Sequence, residues 1–410
     1  TQNKKLIESQ QEAKEHIRKQ WDGMGASNPH GAAHFGSYAF KESTVLNSID
    51  EGVNSVTGNV LRLEGHKQND VMFSESSQSL MISKLGKLKP SILFQFLIPL
   101  FLIFLSFNSY SKERESGRLK LLLIQGVSLR NLICSKIFSI WIIGFILLLI
   151  TVFIQFLFNS SELNTDTFIR LILLIASYSF YYLIIINLSV AVSLFFKNST
   201  SALSLTIVVW FMWSVFFPKI IGNSVEEIYP LPTRVEFQDS MSEDRKKGID
   251  GHDPLDEVKK ELVDATLAKY NVKSLSDLPI NFSGILMQAD EEYGNKVWDK
   301  HFGDLYHQLQ LQKRIYQITG FLNPFSSLQN LSMGFSGTDM YHHLDFLNQG
   351  EKYRRGFMKV LNEKFTETKR ADASFFKSIE DFDYQVPFLF TFFWKYFLDI
   401  LALFFWVISS

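Results

Sequence analysis

The sequence predicts an all-α polytopic membrane protein with about six transmembrane helices and a mostly helical extracytoplasmic domain. Three observations lead there. Five runs stay apolar for roughly 20 residues, the length an α-helix needs to cross about 30 Å of hydrocarbon. Phenylalanine is abundant, 39 of 410 residues, a heavy load for a water-soluble chain. Basic residues crowd into one short interval between apolar runs, as they do on the cytoplasmic side of membrane proteins.

The runs are residues 91–110, 137–158, 167–195, 201–221 and 388–408. Residues 1–90 precede them and carry no apolar signal region. Thr1 is not an initiator methionine, so a further transmembrane helix is expected ahead of it, making six. Within 1–90 the pattern from Leu6 to Trp21 is that of an amphipathic helix. "NPHGAAHFGSYAF" then breaks it with turn formers, and "SVTGNVLRLEGH" alternates around Thr57-Gly58-Asn59 as a short hairpin would.

The interval 111–136 holds Lys112, Arg114, Arg118, Lys120, Arg130 and Lys136. Residues 159–166 hold no Lys or Arg, and the next turn holds Lys197. This alternation puts 111–136 and the Lys197 turn in the cytoplasm, and 1–90 and 222–387 outside. Lys84, Lys87 and Lys89 stand against it and are outnumbered. Residues 222–387 read as a helical domain. Asp253 and Pro254 open a helix carrying Leu255, Val258, Leu262 and Ala265. Residues 289–319 form a second, stopped by Gly320 and Pro324, and 351–368 a third. In the last run Lys395 and Asp399 lie four apart. On a helix they share a face, at a depth where a lone charge costs at least ~2.5 kcal/mol, so they are expected to pair within the membrane.

Several chemistries are excluded or left without support. A net charge of -1 gives no reason to invoke nucleic acid. Cys134 is the only cysteine, so no disulfide forms within the chain. No phosphate-binding loop and no His-Glu-x-x-His occurs, and "GFSGT" lacks the spacing of a nucleophile elbow. His30 and His34 lie four apart, but Pro29, Gly31 and Gly36 argue against a helix there. Asp339, His342, His343 and Asp345 have donor types suited to zinc or copper. Ordinary polar packing accounts for them better, so no metal and no cofactor is expected in this chain.

The basic interval is more than a topogenic turn. Residues 118–125 form a short helix pattern with Leu119, Leu122 and Leu123 on one face. Gly126 ends it, and Ser128 can cap the helix entering the next run. "ERESGRLKLLLIQGVSLRNLICSK" resembles the segment between the second and third spans of type-2 ABC transporter permeases, a Glu-x-Glu-x-Gly-Thr-Leu pattern with a leucine-rich stretch, a small residue and a closing Gly-Lys or Ser-Lys. Arg118 replaces the common Thr and Ser135 a common Gly. "NPHGAAHFGSYAFK", "LEGHKQN" and "FSGTDMYHHLDF…EKYRR" are similar to a bacterial branch of these permeases with a large extracytoplasmic insertion.

The resemblance implies that 111–136 is a coupling helix region, with Glu113, Arg114, Glu115, Gly117, Arg118, Leu122, Gly126 and Arg130 at the contact with a separate ABC ATPase. It implies a second permease chain, alike or different, ATP and Mg2+ in the ATPase, the bacterial inner membrane, and an envelope or outer-membrane partner. The output would be export or translocation. The alternatives are mechanotransmission to an envelope partner without transport, and a membrane-anchored metalloenzyme.

Overall fold

The structure, a computed structural model, describes residues 2–41, 44–69, 90–158, 164–247 and 254–410. Lys84, Lys87, Lys89 and Asp253 lie outside them. Among the described residues, five helices are long and apolar enough to cross a membrane: Pro90–Glu115, Leu129–Leu157, Thr165–Phe195, Ser199–Ile228 and Leu389–Ser409. They match the five apolar runs and extend most of them into the flanking polar sequence. Lipid supplies no hydrogen bonds, so each span must satisfy its backbone internally, and helices do so.

The third span is the most buried. Tyr178, Tyr181, Tyr182 and Ile185 are fully enclosed along it, and it packs against the first, second, fourth and fifth. Its tyrosines bring polar tips into the bundle. Tyr182 donates to the Phe94 carbonyl of the first span at 3.0 Å, and Tyr178 pairs with Ser332 at 2.7 Å.

At one end of the bundle sits a helical domain. The long helix Phe282–Ile318 runs antiparallel to Met340–Glu367. The N-terminal helix Gln2–Asp22 adds Trp21 to a cluster with Phe357, Leu361 and Phe376. The predicted local hairpin in "SVTGNVLRLEGH" does not form. Asn54–Thr57 is a helical turn, and the strand Val60–Leu63 pairs antiparallel with Ser37–Phe40 instead. The alternation in Val60–Leu63 was a true strand signal, but its partner lies in the stretch that reads as turn formers.

The helix Pro29–Phe35 also runs through apparent breakers. Pro29 takes the first helical position, Asn28 accepts the His30 N–H at 2.9 Å, and Gly36 closes the end. Proline at the start and glycine just past the end delimit a helix and do not break it.

One part of 222–387 is not peripheral to the bundle. The C-terminal end of Phe282–Ile318 descends between the spans, turns at Thr319–Phe321, and returns as the helix Pro324–Phe335. The turn lies level with the middle of the bundle. Asn323 donates to the carbonyl of Trp213, midway along the fourth span, at 2.8 Å. Trp406 of the fifth span donates to the Gly320 carbonyl at 3.0 Å. Phe325 packs on Phe96 of the first span and Tyr181 of the third. Non-helical backbone at such depth is tolerated only where protein groups satisfy it, and these side chains do.

Candidate functional site

At the opposite end, the first span runs to Glu115 and the chain turns at Gly117 into the helix Arg118–Ile124. A second turn at Gly126 leads to Leu129, where the second span starts. Gly117 and Gly126 have φ of +72° and +87°. An L side chain in that region costs roughly 1–2 kcal/mol, so the sequence needs glycine at both corners. Ser128 accepts the Asn131 N–H at 3.2 Å, capping the second span as its sequence suggests.

Three of the four charged residues before the first corner each hold a different helix. Glu113 pairs with Lys136 of the second span. Arg114 donates to the Leu194 carbonyl, near the end of the third span, at 2.9 Å. Glu115 accepts the Ser199 N–H at 2.8 Å and its hydroxyl at 3.2 Å, where the fourth span begins. A helix end is partially negative at its C-terminus and positive at its N-terminus. Arg114 and Glu115 therefore have the signs those two ends require. Glu-Arg-Glu thus clamps four spans at one point.

The short helix presents two surfaces. Leu119 packs against the bundle core and Leu122 is half-buried. Leu121, Leu123 and Ile124 are exposed, Ile124 by 72%, and Val127 and Leu129 extend the patch. The apolar face of Leu119, Leu122 and Leu123 expected from the sequence is divided: the first two turn inward and Leu123 faces out. Arg118 and Arg130 are exposed on the same hairpin. Contiguous exposed apolar residues rimmed by charge mark an interaction surface.

The family model described as ABC-2 family transporter protein matches residues 1–231. The chain belongs to the ABC-2 transporter family. A second model, described as Domain of unknown function (DUF3526), matches residues 234–385. Comparison with curated proteins and with solved structures finds no match. The protein is thus a multi-pass membrane permease of an ABC transporter.

Of the other residues singled out in this ABC-2 permease, Lys395 and Asp399 depart from expectation. Lys395 and Asp399 form no ion pair. Leu389–Phe392 is α-helical, but Phe393–Tyr396 tightens to a 3-10 turn before the α-helix resumes at Phe397. Four-residue spacing therefore does not put the two on one face. Asp399 is fully buried and accepts from Gln317 Nε2 at 2.6 Å and Asn330 Nδ2 at 3.0 Å. Both donors belong to the re-entrant segment. The Lys395 ammonium lies over the Tyr341 ring, 5.5 Å from its centroid.

Asp339, His342, His343 and Asp345 do not converge as metal ligands. Asp339 caps the helix Met340–Glu367, pairs with Lys313, and accepts from Tyr396 at 3.1 Å and His342 Nδ1 at 2.6 Å. Burial would raise the Asp339 carboxyl; Lys313 and His342 outweigh it and hold it well below the usual range. His342 Nε2 faces the Arg170 guanidinium at 3.3 Å, and Asp345 accepts from Gln349 and Tyr384. Two fixed cations already satisfy this group. Arg170 also donates to Asp166 at 2.6 Å and the Pro387 carbonyl at 2.8 Å, so the cluster locks the helical domain onto the third and fifth spans.

A different histidine group does converge. His30, His34 and His66 each bring one ring nitrogen within 4.8 Å of the other two. The sequence offered His30 and His34 at helical spacing, but the reading of Pro29 and Gly36 as breakers hid them, and His66 is remote in the chain.

Proposed function

We propose that this permease works in the bacterial cytoplasmic membrane with a separate ABC ATPase and a second permease chain. The hairpin end faces the cytoplasm and the helical domain the outside, as the loop charges direct. The observation that carries the reading is the union of two features in one hairpin: exposed Leu121, Leu123 and Ile124, and the Glu113-Arg114-Glu115 clamp on four spans. An ATPase seated on the first would displace the second. ATP and Mg2+ bind in the partner; this chain supplies the lever.

Two outputs are compatible with such a lever. One is export or translocation of a substrate through the paired permeases. The other is mechanical: motion passes outward to an envelope partner with nothing crossing. The re-entrant segment favours giving the second serious weight, since it joins the spans to the outer domain through Asp399, Trp406 and Trp213.

The test is co-purification with candidate ABC ATPases co-expressed with this permease. Leu121→Asp with Ile124→Asp should abolish association at unchanged membrane abundance, because both side chains are exposed and contribute little to folding. Undiminished association of the double variant would defeat the assignment.

A further inference from the structure

His30 and His34 occupy successive turns of the helix Pro29–Phe35, and His66 follows the strand Val60–Leu63. The three ring centroids lie 5.0 to 5.1 Å apart. His30 Nε2 and His66 Nε2 are separated by 3.3 Å. Two ligands on a tetrahedral zinc at bonds of 2.0–2.1 Å stand about 3.3–3.4 Å apart, so the spacing is that of two nitrogens sharing one ion.

The surroundings decide which nitrogen carries the proton. Glu292 accepts from Gln288 Nε2 at 2.9 Å, which leaves Gln288 Oε1 to accept from Asn362 Nδ2 at 3.1 Å. Asn362 Oδ1 is then the acceptor for His30 Nδ1 at 3.1 Å. Glu291 accepts from His66 Nδ1 at 2.9 Å. Each ring thus spends its Nδ1 proton on an oxygen and turns a bare Nε2 lone pair toward the other. Such lone pairs repel at 3.3 Å unless a proton or a cation lies between them. Imidazoles fixed by oxygen acceptors on the far nitrogen are the usual outer shell of a metal site.

The outer groups are themselves anchored. Glu291 accepts from both His66 and Arg354. Arg354 is fully buried and donates to Glu291 at 3.1 Å and Glu351 at 2.7 Å, so its charge is spent on carboxylates. His66 has φ +66°, an uncommon conformation for a residue with a side chain. Its N–H is held by the same Glu291 at 2.5 Å. The turn is strained in the sense that aims the ring at His30.

We propose that His30, His34 and His66 bind a nitrogen-preferring first-row cation, zinc(II) or copper(II), with a fourth position open to water or an incoming ligand. All-imidazole ligation suits those ions and not calcium or magnesium. His34 is exposed, so the ion exchanges with the medium around the helical domain. The site stands on its own geometry and does not depend on the ATPase assignment.

The test uses the full chain in detergent, stripped of metal and titrated with cobalt(II), then with zinc(II) in competition. One equivalent should give the visible absorption of a four-coordinate nitrogen-rich site, and zinc should displace it. His34→Gln, at an exposed position, should keep the fold by circular dichroism and weaken binding at least tenfold. Glu291→Gln, which touches no metal, should weaken it roughly 10- to 100-fold. His307→Gln, exposed on the long helix, should bind as the parent does. Absence of saturable one-to-one binding in the parent would overturn the proposal, leaving a shared proton between His30 and His66. Unchanged affinity in folded His34→Gln and Glu291→Gln would overturn it equally.

Discussion

Asp399 shows how a carboxylate can be held inside a bundle by neutral donors. Gln317 and Asn330 each give it one N–H, and removing it would leave the Asn330 amide without that acceptor and Gln317 with the Lys395 carbonyl alone. Unsatisfied buried groups cost about 1–3 kcal/mol. Asp399→Leu should therefore lower the melting temperature and folded yield, whereas Lys395→Leu, which breaks no ion pair, should leave both near the parent level; fluorescence-detected size exclusion after heating separates the two. Parity of the variants would restore the paired reading. Spacing alone could not reveal the true partners, because it presumes a continuous α-helix and the 3-10 turn Phe393–Tyr396 breaks that assumption. His343 makes a pH-dependent prediction. Burial, with Lys41 nearby, lowers it to about 3 from an ordinary value of 6.5. It stays neutral when folded, so the unfolded chain binds more protons between those values. Its contribution is complete above pH 6.5 and is lost as pH falls, by up to ~1.4 kcal/mol per unit. Melting temperature should drop between pH 7 and pH 5, and less steeply in His343→Phe.

At the scale of elements, the hairpin was largely legible and the re-entrant segment was not. Basic residues, a leucine face and two glycines announced Arg118–Ile124 as a structured element, and the corners fall at Gly117 and Gly126. Its contacts were not legible: Glu115 meets the start of the fourth span, 84 residues away, which no local pattern encodes. Alanine at both corners should strain each by roughly 1–2 kcal/mol while sparing Leu121 and Ile124. ATPase association should then persist, and the gain in ATP hydrolysis on reconstitution with the permease should fall. A fully coupled double variant would mean the corners need no rigidity. The helix Pro324–Phe335 escaped notice because it is 12 residues long and dotted with Ser326, Ser327, Gln329, Asn330 and Ser332. A hydropathy scan discards such a stretch. It is accepted among the spans because they supply partners, Tyr178 for Ser332 Oγ at 2.7 Å and Asp399 for Asn330 Nδ2 at 3.0 Å.

For the whole molecule, the decisive variable is which end faces the cytoplasm. Cys134 is exposed near the hairpin, while Ser240 and Ser283 are exposed on the helical domain. Ser240→Cys and Ser283→Cys should react with a membrane-impermeant thiol reagent in intact spheroplasts, and Cys134 only after permeabilisation. The reverse pattern would invert the assembly and remove the hairpin from any cytoplasmic ATPase. The five candidate spans among the described residues coincide with the five apolar runs, because lipid imposes that constraint on sequence directly. The joining of the two ends was not legible in hydropathy, because it rests on buried polar contacts such as Arg170 with Pro387, between residues far apart in sequence.

The re-entrant turn also dictates an order of assembly. Gln317 and Asn330 depend on Asp399, and the Gly320 carbonyl on Trp406. All these partners sit on the fifth span, which is synthesised after the turn. Until that helix enters the bilayer, the Gln317 and Asn330 amides lack their acceptor and the Gly320 carbonyl its donor. Among the described residues only Asn323, through the Trp213 carbonyl, ties the turn to an earlier span by a hydrogen bond, so the turn seats incompletely. Biogenesis therefore proceeds in two stages: the earlier spans and the helical domain first, then a closing step in which the fifth span and the turn seat together. A chain halted before residue 389 would expose Thr319–Phe321 to added protease, and the completed chain would shield it.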